Sequence, residues 1–149
     1  MKTPKLIFFC LLFHLQTSLA IAEEKTNFKV STLVEGLEHP WAMAFLPDNR
    51  ILITERPGRL RLVENGRLHS QAITGLPEIA AEGQGGLLDV VLHPDYQNNG
   101  WIYFSYSADD VDGIGTEVAR ARLDGMKLIN VETIFHVDKK SEGGRHFGS

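Results

Sequence analysis

The sequence predicts an all-β chain built from units of four antiparallel strands. Short apolar or alternating runs are separated by turns rich in Gly, Pro, Asn and Asp, and no window has a sustained helical period. The pattern also repeats, because the run 41–46 ends at Pro47-Asp48 and the run 87–92 ends at Pro94-Asp95. This spacing is close to the ~40–50 residues of a four-stranded propeller blade.

The first unit follows an isolated alternating segment. Residues 27–34 alternate as a half-buried strand does, and a turn ending at Pro40 follows them. Four strands joined by short turns then form the unit, and they are predicted at 41–46, 50–55, 59–63 and 67–73.

The second unit repeats this order around an acidic loop. Its strands are predicted at 87–92, 101–106, 117–123 and 131–137, and residues 109–112 are interpreted as an exposed loop. One blade cannot bury both of its faces, and propellers close as rings of about 4–8 blades. The chain is therefore expected to be about two blades and the start of a third, truncated after Ser149. A small sandwich or barrel is the alternative.

The N-terminus has the pattern of a secretory signal. A basic leader precedes the apolar core 6–19 and the small-x-small site 20–22, so residues 1–22 are predicted to be removed and residues 23–149 to form the mature part. The core is too short and interrupted for a membrane span. Cys10 is lost with the signal, and export without cysteine favours a bacterial periplasm.

The charge of the mature part argues against a nucleic-acid partner. Without Lys2 and Lys5, 13 basic residues face 19 acidic ones, which gives a net charge of −6. No basic stripe is left to neutralise phosphates. An extracytoplasmic protein that acts on a small molecule is the better interpretation.

Two polar residues lie at equivalent positions of successive units. Gln84 precedes Leu87 in a glycine-rich turn, and one period later His146 lies between glycines. If the first strand of each blade lines the channel, both side chains face one cavity. Histidine can take up a proton at neutral pH, and an amide can bind a sugar hydroxyl. The alternatives are a structural histidine bonded to a loop carbonyl and a glutamine that caps its turn.

The remaining polar residues are interpreted as structural. Four histidines have spacings unlike those of metal ligands, and no metal site is predicted from them: His39, His69, His93 and His136. Three arginines are interpreted as the solvated outer face of a hairpin: Arg56, Arg59 and Arg61. The acidic loop lacks the frame of a calcium-binding loop.

Several segments, in fixed order, resemble the soluble glucose/sorbosone dehydrogenases that depend on pyrroloquinoline quinone (PQQ), in their aldose sugar dehydrogenase branch. The segments are GQGGLL at 83–88, HPDY at 93–96 and GRHFG at 144–148. Residues 39–48, residues 54–56 and Gly58 are also similar to the first blade of that family.

The resemblance implies a six-bladed β-propeller with PQQ over its channel and hydride transfer from the sugar C1 to the quinone. His146 matches the histidine that removes the C1 hydroxyl proton, and Gln84 matches the glutamine that contacts substrate and cofactor. It also implies Ca²⁺, whose ligands lie in later blades beyond Ser149. An aldose and an unidentified electron acceptor are the expected partners, and the fragment alone is expected to be inactive.

Two other functions would suit a propeller. A lactonase-type hydrolase would hold a metal with carboxylates and Asn at the channel, whereas the predicted positions carry Gln84 and His146. A non-catalytic propeller would bind a protein or a glycan. Reduction of an artificial acceptor by an aldose, only with quinone and calcium added, would separate these possibilities.

Overall fold

The computed structural model describes residues 28–140 and 144–148 and confirms the all-β prediction. The compact unit that contains the strands spans Thr32–Ser149. Two four-stranded antiparallel sheets, each with its strands in chain order, account for nearly all of its regular structure. These sheets are two successive blades of a β-propeller. The predicted signal at 1–22 lies outside the described residues.

The first sheet is formed by residues 40–68. Its strands, joined by the tight turns that the sequence predicted, are β1 (Pro40–Phe45), β2 (Ile51–Glu55), β3 (Arg59–Glu64) and β4 (Arg67–Leu68). The last strand is shorter than predicted, because after Leu68 only a single bridge, between Leu60 and Ile73, continues the pairing.

The second sheet repeats this arrangement with longer strands. It contains β5 (Leu87–Leu92), β6 (Trp101–Asp110), β7 (Gly113–Asp124) and β8 (Lys127–His136). A single helical turn, α1 (Tyr96–Asn99), connects β5 to β6 and ends at Gly100 in the left-handed conformation. Glycine is favoured there because it has no Cβ to oppose a positive φ.

The local structure differs from the prediction at two places. Residues 28–34 form no strand, because alternation supplies an apolar face but no described strand pairs with their backbone. The acidic segment 109–112 is exposed as predicted, but it is the tip of a long hairpin, since the pairing of β6 with β7 continues to Asp110 and Gly113. Asp110 there forms an ion pair with Lys140 at 2.8 Å.

The two sheets pack face to face around one hydrophobic core. Leu52 and Leu60 from the first sheet and Leu87 and Phe104 from the second belong to the same buried cluster. Replacing such a leucine with alanine typically costs about 2–5 kcal/mol. The buried Thr54 hydroxyl adds a polar link, because it donates to the Leu88 carbonyl at 2.6 Å.

The opposite face of the first sheet is apolar and is exposed along its edge strand β1, whereas Ile51 and Ile53 of β2 are buried there. Met43 and Phe45 are 59% and 66% exposed, although they alternate with Ala44, which is buried. Large exposed apolar patches commonly mark interaction surfaces, and a blade needs a neighbour on each side. Among the described residues, no helix is long and apolar enough to cross a membrane.

Candidate functional site

The structure brings Gln84 and His146 into contact. The Gln84 side-chain oxygen Oε1 accepts a hydrogen bond from the His146 backbone nitrogen at 3.2 Å. The Gln84 backbone nitrogen in turn donates to the Gly144 carbonyl at 2.8 Å. Both Gln84 and His146 are exposed. Residues 62 positions apart therefore present an amide and an imidazole on one surface.

The turn that carries Gln84 is held from one side by Arg56. The Arg56 guanidinium nitrogen Nη1 donates to the carbonyls of Gly83 and Gly85, both at 2.9 Å. The Arg56 carbonyl accepts from the Leu87 backbone nitrogen at 3.1 Å. The interpretation of Arg56 as part of a solvated outer face is therefore wrong, because its charge is used to bind backbone carbonyls of the next blade.

The same turn is held from the other side by Ser107 of β6. The Ser107 hydroxyl is fully buried, accepts from the Gly86 nitrogen at 2.6 Å and donates to the Ala80 carbonyl at 2.6 Å. Unpaired backbone groups at this depth would be costly, so these bonds stabilise the buried end of the turn. Only the part around Gln84 is left exposed.

Close backbone contacts explain the glycines of the turn. A Cβ on Gly83 would lie 2.2 Å from the Gly144 carbonyl oxygen, and a Cβ on Gly86 would lie 2.0 Å from the Arg56 carbonyl oxygen. Both glycines also have positive φ, at 55° and 148°. Because these glycines have no Cβ, the turn can lie directly against the backbone at Gly144 and at Arg56. Their role is therefore close packing of the backbone around Gln84.

The segment that carries His146 is anchored by its neighbour. Phe147 is buried in a small cluster with Leu88 and Ile114, and its carbonyl accepts a hydrogen bond from the Thr116 hydroxyl. His146 itself has a φ of 65°, the left-handed region that residues other than glycine rarely adopt. Such conformations persist where surrounding contacts impose them, and they cluster at functional sites.

A buried ionic network lies next to Arg56 in the sequence. Glu55 has no exposed surface and accepts hydrogen bonds from the Glu38 backbone nitrogen, Arg59 and Arg61. Burial acts to raise the pKa of Glu55, but these hydrogen bonds outweigh it and leave the pKa below its ordinary value. Arg61 is itself buried, so the prediction of a solvated face is wrong for Arg61 as well as for Arg56.

Metal-binding groups are not clustered in the described part of the chain. Within residues 28–140 and 144–148, no three or more His, Cys, Asp or Glu side chains lie where they could hold a metal ion. His93 has a structural role, because its ring nitrogen Nδ1 accepts from the Asp95 backbone nitrogen at 2.9 Å and its ring stacks on Tyr103.

Sequence reasoning found the two exposed residues but missed the two that hold them. Gln84 and His146 were found because the repeat places them at equivalent positions. Arg56 and Ser107 have no such signal, since an arginine in a turn and a serine in a strand usually face solvent. The alternation of β6 gave no signal either, because it buries Phe104 and Tyr106 and places Ser107 on the opposite face.

Comparison with known proteins indicates the family to which the chain belongs. The sequence profile of the Glucose / Sorbosone dehydrogenase family matches residues 37–149. Aldose sugar dehydrogenase YliI of Escherichia coli is 44% identical over 135 residues, which cover 88% of this chain and 36% of that protein. Quinoprotein glucose dehydrogenase B of Acinetobacter calcoaceticus is 38% identical over 82 residues, which cover 53% of this chain and 17% of that protein.

Solved structures show the same likeness. The apo form of the soluble aldose sugar dehydrogenase from Escherichia coli matches with a TM-score of 0.71 at 46% identity, covering 75% of this chain and 33% of that one. The PQQ-bound enzyme of Streptomyces coelicolor shares the fold, with a TM-score of 0.65 at 24% identity over 76% of this chain and 34% of that one. The chain spans about a third of the length of the curated relatives YliI and slr1608 of Synechocystis. Since the family profile covers most of its residues, this chain belongs to the glucose/sorbosone dehydrogenase family.

Proposed function

We propose that the protein is a quinoprotein oxidoreductase that converts the C1 hydroxyl of an aldose to the lactone. The observation that carries the proposal is the contact between Gln84 and His146. The contact links an exposed amide to the backbone of an exposed histidine, a residue type that can act as a base. Family membership supports sugar oxidation, and the base and the cofactor are the further steps of the proposal.

The exposed residues suit PQQ and a sugar as ligands. PQQ offers carboxylates and carbonyls, and an aldose offers hydroxyls, so both need hydrogen-bond donors and acceptors. The Oε1 atom of Gln84 is bonded to His146, whereas the amide nitrogen has no partner among residues 28–140 and 144–148. That nitrogen is the donor we assign to the bound ligands. When bound, PQQ supplies the acceptor for the hydride.

We assign His146 as the general base. Oxidation at C1 removes a hydride from carbon and a proton from the hydroxyl, and a sugar hydroxyl does not release its proton unaided at neutral pH. An imidazole can accept that proton, whereas lysine would stay protonated and a carboxylate would add negative charge beside an anionic cofactor. The anchoring of Phe147 keeps the neighbouring imidazole at this surface.

We also propose Ca²⁺ as a cofactor, because the family resemblance implies it. The described residues provide no metal cluster, so no ligand among them is assigned and no step depends on the ion. The signal-like residues 1–22 support export, and the absence of cysteine from residues 23–149 favours a bacterial periplasm.

Reconstitution of the full-length protein tests this function. We expect an aldose to reduce an artificial electron acceptor only after PQQ and Ca²⁺ are added, with the lactone as product. Hydrolysis of a lactone without any acceptor would support a propeller hydrolase instead. Binding of a glycan or protein with no turnover of any aldose would also overturn the proposal.

A further inference from the structure

Arg56 connects the first blade to the turn that carries Gln84. It follows β2 directly, and its nitrogen Nη1 bonds the carbonyls on both sides of Gln84, those of Gly83 and Gly85. The two bonds span 27 and 29 positions of the chain. A single guanidinium nitrogen therefore bonds to carbonyls of the residues before and after the exposed glutamine.

Hydrogen bonds hold both peptide groups that flank Gln84, and Arg56 supplies one of those bonds. The peptide between Gly83 and Gln84 is held at its carbonyl by Arg56 and at its N–H by the Gly144 carbonyl. The next N–H, that of Gly85, donates to the Glu82 carbonyl at 2.7 Å. Because each peptide group is planar, holding both of them fixes the direction in which the Gln84 side chain leaves the backbone.

We propose that Arg56 is a positioning residue. By holding the turn, it keeps the Gln84 amide against His146 in the orientation that substrate binding requires. The inference rests on the proposed function for its catalytic consequence, but the clamp itself is independent of it. Hydrogen bonds from a charged donor are stronger than those between neutral groups, which suits a clamp at an exposed turn. An ordinary structural role would stabilise the fold without acting through Gln84.

Hydrogen exchange in the full-length protein tests the clamp without any assay of activity. Arg56→Met removes the charge and the donors but keeps an apolar stem. Arg50→Met is the matched control because, among the described residues, the Arg50 guanidinium pairs with the nearby Asp48 alone. We expect exchange of the Gln84 and Gly85 amides to accelerate about tenfold or more in R56M, with β3 unchanged. Unchanged exchange at Gln84 and Gly85 would overturn the proposal.

Coupling to Gln84 distinguishes positioning from mere stabilisation. We expect R56M to lower kcat about tenfold in the wild type, because small displacements of positioning groups are costly. In a Gln84→Ala background the same change should lower kcat less than about twofold. Equal losses in both backgrounds would refute positioning through Gln84. If R56M does not fold, Arg56→Gln takes its place, since a shorter neutral amide lacks the charge and the reach of the guanidinium.

The two proposals fail in different ways. If the wild-type protein oxidises no aldose, the proposed function is wrong, and the exchange measurement still decides whether Arg56 clamps the turn. If the wild type is active and exchange in R56M is normal, the function stands and the role of Arg56 is rejected.

Discussion

The side-chain oxygen of Gln84 lies 3.2 Å from the backbone nitrogen of His146 and accepts its hydrogen bond. The bond links the turn before β5 to the segment after β8, so it joins the starts of two successive repeats. It also leaves the imidazole of His146 for other partners, because the backbone N–H is the donor. This relationship is the basis of the predictions for the site.

Gln84→Ala should impair turnover more than folding. The exposed amide contributes one hydrogen bond, worth about 0.5–1.5 kcal/mol, to stability, whereas its loss removes a ligand contact from the site. We expect kcat/KM of the full-length protein to fall at least about tenfold, with only a small change in Tm. Gln97→Ala, at another exposed glutamine, is the control and should leave both unchanged. A much lower Tm with normal turnover per folded molecule would identify Gln84 as a structural cap.

Gly86→Ala should destabilise the protein more than Gly66→Ala does. A Cβ at Gly86 would lie 2.0 Å from the Arg56 carbonyl oxygen, whereas one at Gly66 would meet nothing within 4 Å. Gly66 has a φ of 71°, so Gly66→Ala reports the strain of a left-handed backbone without a close contact, about 1 kcal/mol. Chemical denaturation should show a loss of about 3 kcal/mol or more for Gly86→Ala. Equal losses in the two variants would contradict the close contact.

Glu55 should make stability depend on pH in the acid range. Its pKa is lowered in the folded protein, so its contribution is present above the ordinary value of 4.5 and is lost as the pH falls through the folded value. Glu55→Gln should cost about 1.5–3 kcal/mol at pH 7, because buried Arg61 loses its charged partner.

Urea unfolding from pH 7 down to about pH 3 measures this effect. We expect the stability difference between wild type and Glu55→Gln to shrink below pH 4.5, the ordinary value for a glutamate. Glu132→Gln, at an exposed ion pair with Arg120, should change stability by less than about 1 kcal/mol across the range. A constant difference between wild type and Glu55→Gln at all pH values would show that the carboxylate charge is not what stabilises the network.

The repeat made most of the fold predictable from the sequence. Turn residues and apolar runs located β1–β3 and β5–β8 because local chemistry determines where such strands stop. The segment 28–34 failed because alternation does not reveal whether a partner strand is present. Period arithmetic placed Gln84 beside His146, but Arg56 could not be found this way, since its role depends on contacts with a turn 27 positions away.

His146→Gln in the full-length protein tests the central claim most directly. The substitution keeps a polar side chain of similar size but removes the group that accepts the C1 hydroxyl proton. His136→Gln, at the exposed end of β8, is the matched control. With PQQ binding and Tm unchanged, we predict that kcat falls at least about 10²-fold for His146→Gln and stays normal for His136→Gln. A near-normal kcat for His146→Gln with the cofactor bound would contradict the assignment of His146 as the base.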